Sequence, residues 1–176
     1  MAENDTPQGA TGGQNAADGE NQPQFAIQRV YVKDLSFESP NAPKIFQEPW
    51  KPQVTMDLNT AHSKLSDNQY EVVLTLTITS KLEEKTAYMV EVQQAGVFQV
   101  KNIEGARLAQ LLGAYCPNML FPYAREAVDT LVTKGSYPAL MLAPVNFDAI
   151  YQQAVQRKEE EARAGGGQGS EAPQSH

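Results

Sequence analysis

Few residues of this chain are of types that carry covalent or acid–base chemistry. Cys116 is the single cysteine, and His62 and His176 are the two histidines. A cysteine nucleophile needs a base such as histidine within hydrogen-bond reach, and no histidine lies near Cys116 in the sequence. Because Cys116 directly precedes a proline in an apolar run, we expect a small packed thiol. A small enzyme that uses Cys116 or His62 is the alternative.

Sequence signals for phosphate and metal sites are also missing. The glycines at 165–167 are not followed by the Lys-Ser/Thr pair of a phosphate-binding loop. Glu83 and Glu84 are most simply interpreted as a solvated turn. One cysteine excludes an internal disulfide and a zinc site built on several thiolates. We therefore predict that the protein is not an enzyme and has no catalytic residue, metal site or cofactor.

Residues 113–126 form the most informative run of the chain. They are rich in large apolar and aromatic side chains, interrupted by Pro117 and Pro122. Such a run suits a packed interface or an apolar groove better than a reaction centre. A proline disfavours helical geometry in the residue before it, so we predict that one helix ends at Pro117. Asn118 is then expected to cap the next helix, with Pro122 in its first turn.

The net charge of −7 lies in the two ends of the chain. Residues 1–24 carry four acidic residues and no basic residue, and residues 159–176 carry four acidic residues and one arginine. The charges of residues 25–158 cancel. Nucleic-acid binding needs a basic stripe, and this sequence does not offer one.

Composition divides the chain into a folded domain and two tails. Residues 2–23 contain no large aliphatic or aromatic residue, so we predict a disordered N-terminal tail over 1–24. We expect the domain to span 25–158 and a flexible, acidic, Gly-rich tail to span 159–176. No apolar run of membrane-spanning length and no secretory signal occur, so we predict a cytoplasmic protein without membrane insertion.

Hydrophobic periodicity changes from two to 3.6 residues along the domain. Alternation predicts strands over about 25–38, 54–59, 70–79 and 87–100. Helical stripes follow over 108–115 and 120–132, and from Phe147, with Asn146 as a cap. The predicted fold class is α+β, a four-stranded antiparallel sheet followed by helices packed on one face. In the first strand, Tyr31 is expected to share the apolar face with Leu35 and Phe37.

Apolar residues beyond the needs of one core predict an assembly and a groove. The loop over about 39–52 carries four prolines together with Ile45, Phe46 and Trp50, and it is long enough to cross the sheet or a partner. Several strands carry apolar residues on both faces, which favours an oligomer over a compact monomer with irregular patterning. The combined surface suggests a groove for extended or unfolded polypeptide.

Five segments resemble the SecB family of bacterial protein-export chaperones. They are residues 28–43, 70–74, 91–94, 113–126 and 142–148. The resemblance covers residues 25–151 in order and without large gaps. It implies an ATP-independent holdase that binds unfolded preproteins and delivers them to the SecA motor. It also implies a homotetramer arranged as a dimer of dimers.

The resemblance also assigns roles to individual positions. The positions expected to bind SecA are Asp34, Glu38, Met89 and Glu91. The positions expected to affect the dimer–dimer contact and substrate handling are Tyr88, Val90, Val92 and Gln94. The substrate groove is expected to use Ile45, Phe46, Trp50, Leu120 and Phe121. The alternative function is a SecB-like chaperone or adaptor dedicated to one client, such as an antitoxin; the intact acidic positions favour the SecA-coupled form.

Overall fold

Four long strands form one antiparallel sheet in the computed structural model, which describes residues 22–165. They are β1 (Gln24–Glu38), β2 (Gln53–Ser66), β3 (Gln69–Leu82) and β4 (Lys85–Lys101). Their order in the sheet is β1-β4-β3-β2, so β1 and β2 are the edges. Helices follow the strands and pack on one face, so the predicted α+β fold class is confirmed. Of the predicted tails, 1–24 and 159–176, residues 1–21 and 166–176 lie outside the described residues.

β2 is longer than its alternation indicates. The pattern predicts a strand over 54–59, whereas the strand runs over Gln53–Ser66. Its second half contains small and polar residues, including Ala61 and His62, which give little periodicity. His62 pairs with Val72 of β3, so the regular neighbouring strand sets the length of β2.

β1 contains two irregularities that change which side chains share a face. Its register with β4 shifts around residue 28 and again around Lys33. Each extra residue moves the following side chains to the opposite face. Tyr31 therefore shares a face with Asp34, and its predicted place beside Leu35 is wrong.

The crossover loop, residues 39–52, connects the two edges of the sheet. It leaves β1 and reaches β2, which are separated by β4 and β3. It contains a 3-10 turn, Lys44–Gln47, whose Ile45 is buried. The predicted crossing over the sheet is confirmed.

The helical segment after β4 continues past Pro117. It consists of α1 (Gly105–Gln110), a π-helical turn (Leu111–Tyr115) and α2 (Cys116–Lys134). The predicted helix end at Pro117 and cap at Asn118 are wrong. Pro117 lies in the first turn of α2, where its missing N–H is tolerated after the wider π turn. Pro122 lies inside α2, not in a first turn.

α2 covers the two central strands, and its buried residues form the core with theirs. The buried strand residues include Val72, Leu74, Leu76, Ile78, Val90, Val92 and Phe98, and those of α2 include Leu120, Ala124, Val128 and Val132. We call the face of the sheet under α2 the covered face and the opposite one the outer face.

α3 (Phe147–Gly165) begins at its predicted cap. Asn146 Oδ1 accepts a hydrogen bond from the Ala149 N–H at 3.0 Å. The helix reaches Gly165 and so extends into the segment 159–176 that the sequence predicts as a flexible tail. The segment is rich in Glu, Ala and Arg, which have high helix propensity. Among residues 22–165, no helix combines the length and the apolar character needed to cross a membrane.

Candidate functional site

The outer face brings together the four residues expected to bind SecA. In the register of β1 with β4, Glu38 lies opposite Met89, and Ser36 lies opposite Glu91. Asp34 lies two residues before Ser36 on β1. Residues directly opposite each other in an antiparallel pair point to the same face. Asp34, Glu38, Met89 and Glu91 therefore form one contiguous surface, which we call the docking patch.

The carboxylate of Glu91, in the docking patch, is held by uncharged neighbours. Gln93 Nε2 donates to Glu91 Oε1 at 3.2 Å, and Thr77 Oγ1 lies 3.5 Å from Glu91 Oε2. These contacts orient the carboxylate without neutralising it. Asp57 extends the same row, because it pairs with Thr77, which in turn pairs with Glu91. Asp57 was not among the predicted site residues, although its alternation with apolar Met56 and Leu58 indicates an outward position.

A second polar cluster on the outer face consists of Tyr31, Lys33 and Glu71, and the charges of Lys33 and Glu71 compensate each other. Lys33 Nζ donates to both carboxylate oxygens of Glu71 at 2.9 Å, and the Tyr31 hydroxyl donates to Glu71 Oε1. The bond from Lys33, followed by that from Tyr31, lowers the pKa of Glu71. The bond to Glu71 is also the main cause that raises the pKa of Tyr31. The cluster links β1 to β3 across β4, and its charge is satisfied internally.

An aromatic cluster lies where the crossover loop passes over the sheet. Its members are Phe37, Phe46, Trp50, Tyr88 and Tyr137. The ring of Tyr137 is at the centre, with its centroid 4.9 Å from Tyr88, 5.2 Å from Phe46 and 5.4 Å from Trp50. Phe46 is 48% exposed and Trp50 is 37% exposed, whereas Tyr88 is 1% exposed. The cluster thus has a solvent-facing layer over a buried one.

Hydrogen bonds fix the centre of the aromatic cluster. The Tyr137 hydroxyl donates to the Ala87 carbonyl oxygen at 2.8 Å, and Ser39 Oγ donates to the same oxygen at 3.1 Å. Tyr137 was not among the predicted site residues. A possible signal was its position between the glycine that ends α2, Gly135, and the following Pro138, where an aromatic residue is held close to the preceding helix.

Most of the other predicted groove and contact residues lie in the interior of the chain. Ile45, Val90, Val92, Gln94, Leu120 and Phe121 are all buried. Val90, Val92 and Gln94 point to the covered face from β4. Leu120 and Phe121 are buried residues of α2, and Ile45 is the buried residue of the loop. Gln94 Nε2 donates to the Tyr31 carbonyl oxygen at 2.9 Å. In this arrangement, these residues are covered by the rest of the chain.

The lone cysteine is part of the same core. Cys116 is fully buried in α2. Burial raises the pKa of its thiol to about 12. A thiol with such a pKa stays protonated at neutral pH and is a poor nucleophile.

Comparison with known proteins identifies the family that shares these features. The family described as "Preprotein translocase subunit SecB" matches residues 18–158. The chain belongs to the SecB family. It is 68% identical over 162 residues to the protein-export protein SecB of Marinobacter nauticus, covering 92% of this chain and 94% of that protein. It is 64% identical over 148 residues to the SecB of Hahella chejuensis, covering 84% and 93% of the two chains. The predicted membership of this family is confirmed.

A solved structure with the same fold extends the comparison. The Mycobacterium tuberculosis SecB-like chaperone, in complex with a peptide from the HigA1 antitoxin, aligns with a TM-score of 0.57 at 17% identity. The alignment covers 69% of this chain and 90% of that one. At this identity the likeness establishes the shared fold alone.

Proposed function

We propose that this chain is an ATP-independent holdase that binds unfolded preproteins and delivers them to the SecA motor for export. Its family membership supports this function, and the relatives described above are named protein-export proteins. The single structural observation that carries the proposal is the separation of two surfaces. A partly exposed aromatic cluster lies at the crossover loop, and an acidic patch lies on the outer face.

The aromatic cluster is the proposed client site. Unfolded chains expose apolar segments of many sequences, so their binding needs apolar area more than side-chain readout. Phe46 and Trp50 supply that area at the surface, and the buried rings of Tyr88 and Tyr137 support them from below. Phe121 packs against Phe147 instead. Several weak sites on one assembly would add up through avidity, because later contacts become intramolecular.

The docking patch is the proposed SecA site. Glu91 and Asp34 supply negative charge, and Met89, 37% exposed, supplies an apolar centre. Charge at such a surface accelerates and orients association, and its loss weakens the complex. The proposal includes a cytoplasmic location, a homotetramer arranged as a dimer of dimers, and no chemical step.

Binding of SecA to variants of the patch tests the docking half of this proposal. We expect Asp34→Ala combined with Glu91→Lys to weaken SecA binding about tenfold or more, equivalent to about 1.4 kcal/mol. Asp67→Lys is the matched control, since it reverses an acid in the exposed turn between β2 and β3. Unchanged binding in the patch variant would refute the assignment.

Suppression of aggregation tests the holdase half. At one chaperone assembly per preprotein, the wild-type protein is expected to slow preprotein refolding and aggregation without ATP. A dedicated chaperone for one client is the second candidate, on the basis of the peptide-bound chaperone that shares the fold. Protection of a single client, together with no affinity for SecA, would favour it.

A further inference from the structure

The crossover loop is held by different kinds of bond at its two ends. At its start, Ser39 Oγ donates to the Ala87 carbonyl oxygen at 3.1 Å, and Asn41 Nδ2 donates to the Thr86 carbonyl oxygen at 2.9 Å. These neutral bonds end on the backbone of β4. Near its other end, the loop is held by an ion pair instead of neutral hydrogen bonds.

Glu48 and Lys85 form that ion pair. Lys85 Nζ donates to Glu48 Oε1 at 2.7 Å, which joins the loop to the first residue of β4. The two side chains are 43% and 57% exposed, respectively. Two residues later, Trp50 lies over the aromatic cluster, with its ring centroid 6.5 Å from that of Tyr88.

Open space surrounds the ion pair. One cleft of about 240 Å³ and another of about 340 Å³ both have Glu48 and Lys85 in their walls. The loop is therefore not packed closely on the β3–β4 turn at this point. The ion pair spans a gap that apolar packing does not fill.

We propose that the Glu48–Lys85 ion pair is a latch that holds residues 48–52 closed over Tyr88 and Tyr137. Opening of the latch lets the loop and Trp50 move aside, and the buried layer of the aromatic cluster becomes accessible to an apolar segment of an unfolded polypeptide. This inference rests on the proposed holdase function. Exposed ion pairs are weak, so breaking this one increases the open population by about 1.4- to 5-fold. A latch of this strength can be displaced by a weakly bound client.

Ionic strength gives the latch a characteristic signature. The Debye length falls from about 10 Å at 0.1 M salt to about 3 Å at 1 M, so salt weakens an exposed pair. Salt should therefore open the loop in the wild-type protein. It should have little effect on the loop once either charge of the pair has been removed.

Trp50 is the only tryptophan, so its fluorescence reports the loop directly. Acrylamide quenching of Trp50 would be compared in Glu48→Gln, Lys85→Gln and the double variant. Lys64→Gln is the matched control, since it breaks the exposed 3.3 Å pair with Asp67 in another turn. Both single variants should increase quenching by an amount that fits a 1.4- to 5-fold larger open population. The double variant should equal the singles, and NaCl should raise quenching only in the wild type and the control.

Client affinity is measured in parallel by fluorescence anisotropy. The probe is a reduced and alkylated, tryptophan-free polypeptide labelled with fluorescein. The latch variants should bind it more tightly by the same factor as the open population increases. Unchanged quenching in both single variants would overturn the latch, as would independent effects that multiply in the double variant. Increased quenching with unchanged affinity would overturn the link to binding. Failure of every form to bind the probe would refute the holdase function, while quenching would still decide the latch.

Discussion

Gly135→Ala is a substitution for which the structure predicts the opposite sign from the general rule. Gly135 ends α2 with φ −73° and ψ 2°, a conformation that alanine adopts without strain. A glycine-to-alanine change at such a position usually stabilises a protein by about 0.4–1 kcal/mol, because it restricts the unfolded chain. A Cβ at Gly135, however, would lie 2.2 Å from Phe37 Cζ, where ordinary contact begins at 3.4 Å.

The size of the effect follows from that overlap. The tip of the Phe37 ring has to move by about 1.2 Å, the difference between the two distances. Phe37 cannot move alone, since its ring packs against those of Tyr88 and Tyr137, with centroids 6.1 Å and 6.4 Å away. Overpacking of this kind costs about 1–3 kcal/mol. From the middle of each range, a cost of about 2 kcal/mol less a stabilisation of about 0.7 kcal/mol, we expect a net destabilisation of about 1 kcal/mol.

Urea unfolding at a fixed protein concentration measures the change. Phe37→Leu shortens the side chain and should reduce the cost of Gly135→Ala, so the double variant should show a favourable coupling of about 0.5 kcal/mol or more. Lys134→Ala, one residue away and exposed, is the control and should change stability by less than about 0.5 kcal/mol. Stabilisation by Gly135→Ala would refute the reasoning.

Three further predictions concern the helices, the outer face and the thiol. Gly113→Ala places a Cβ 2.6 Å from the Tyr151 ring. We expect the free energy of unfolding in urea to fall by about 1–2 kcal/mol and amide exchange in α3 to become faster. Unchanged exchange in α3 would contradict this contact. The lowered pKa of Glu71 stabilises the folded state above the ordinary glutamate pKa, and this contribution disappears as the pH falls through the lowered value. Glu71→Gln should therefore reduce the free energy of unfolding at pH 7 but not at strongly acidic pH. Lys33→Gln should weaken the pH dependence of stability. An effect of Glu71→Gln that is the same at both pH values would contradict the stabilisation of the Glu71 carboxylate by its neighbours. Cys116 should resist alkylation in the native protein and react fully in urea, and rapid native labelling would show that the thiol is not buried.

The family resemblance named the four residues of the docking patch, and local alternation predicted which of them share a face along one strand. Asp34 and Glu38 lie four residues apart on one strand, beyond both irregularities of β1, so the alternation holds between them. Met89 and Glu91 are related in the same way on β4. What the pattern could not supply was the register that places Glu38 opposite Met89, because strand pairing depends on the whole sheet.

Tyr31 and Pro117 show where local rules failed. An extra residue in β1 moved Tyr31 to the outer face, and only pairing with β4 reveals such a bulge. At Pro117 the sequence indicated a helix end, yet packing of the continuous helix on the sheet stabilises a π turn that accommodates the proline. In both cases tertiary contacts prevailed over a local preference.

The sequence by itself determined the fold class, the presence of four strands, the cap of α3 and the shared face of Asp34 and Glu38, since these follow from periodicity and capping chemistry. Only the tertiary structure decided that Tyr88 lies beneath Trp50 and that Tyr137 joins them. These three residues come from the crossover loop, β4 and the segment after α2, and their contact depends on how the loop crosses the sheet. Burial and long-range contact are properties of the packed chain, so they could not be obtained from the order of its residues alone.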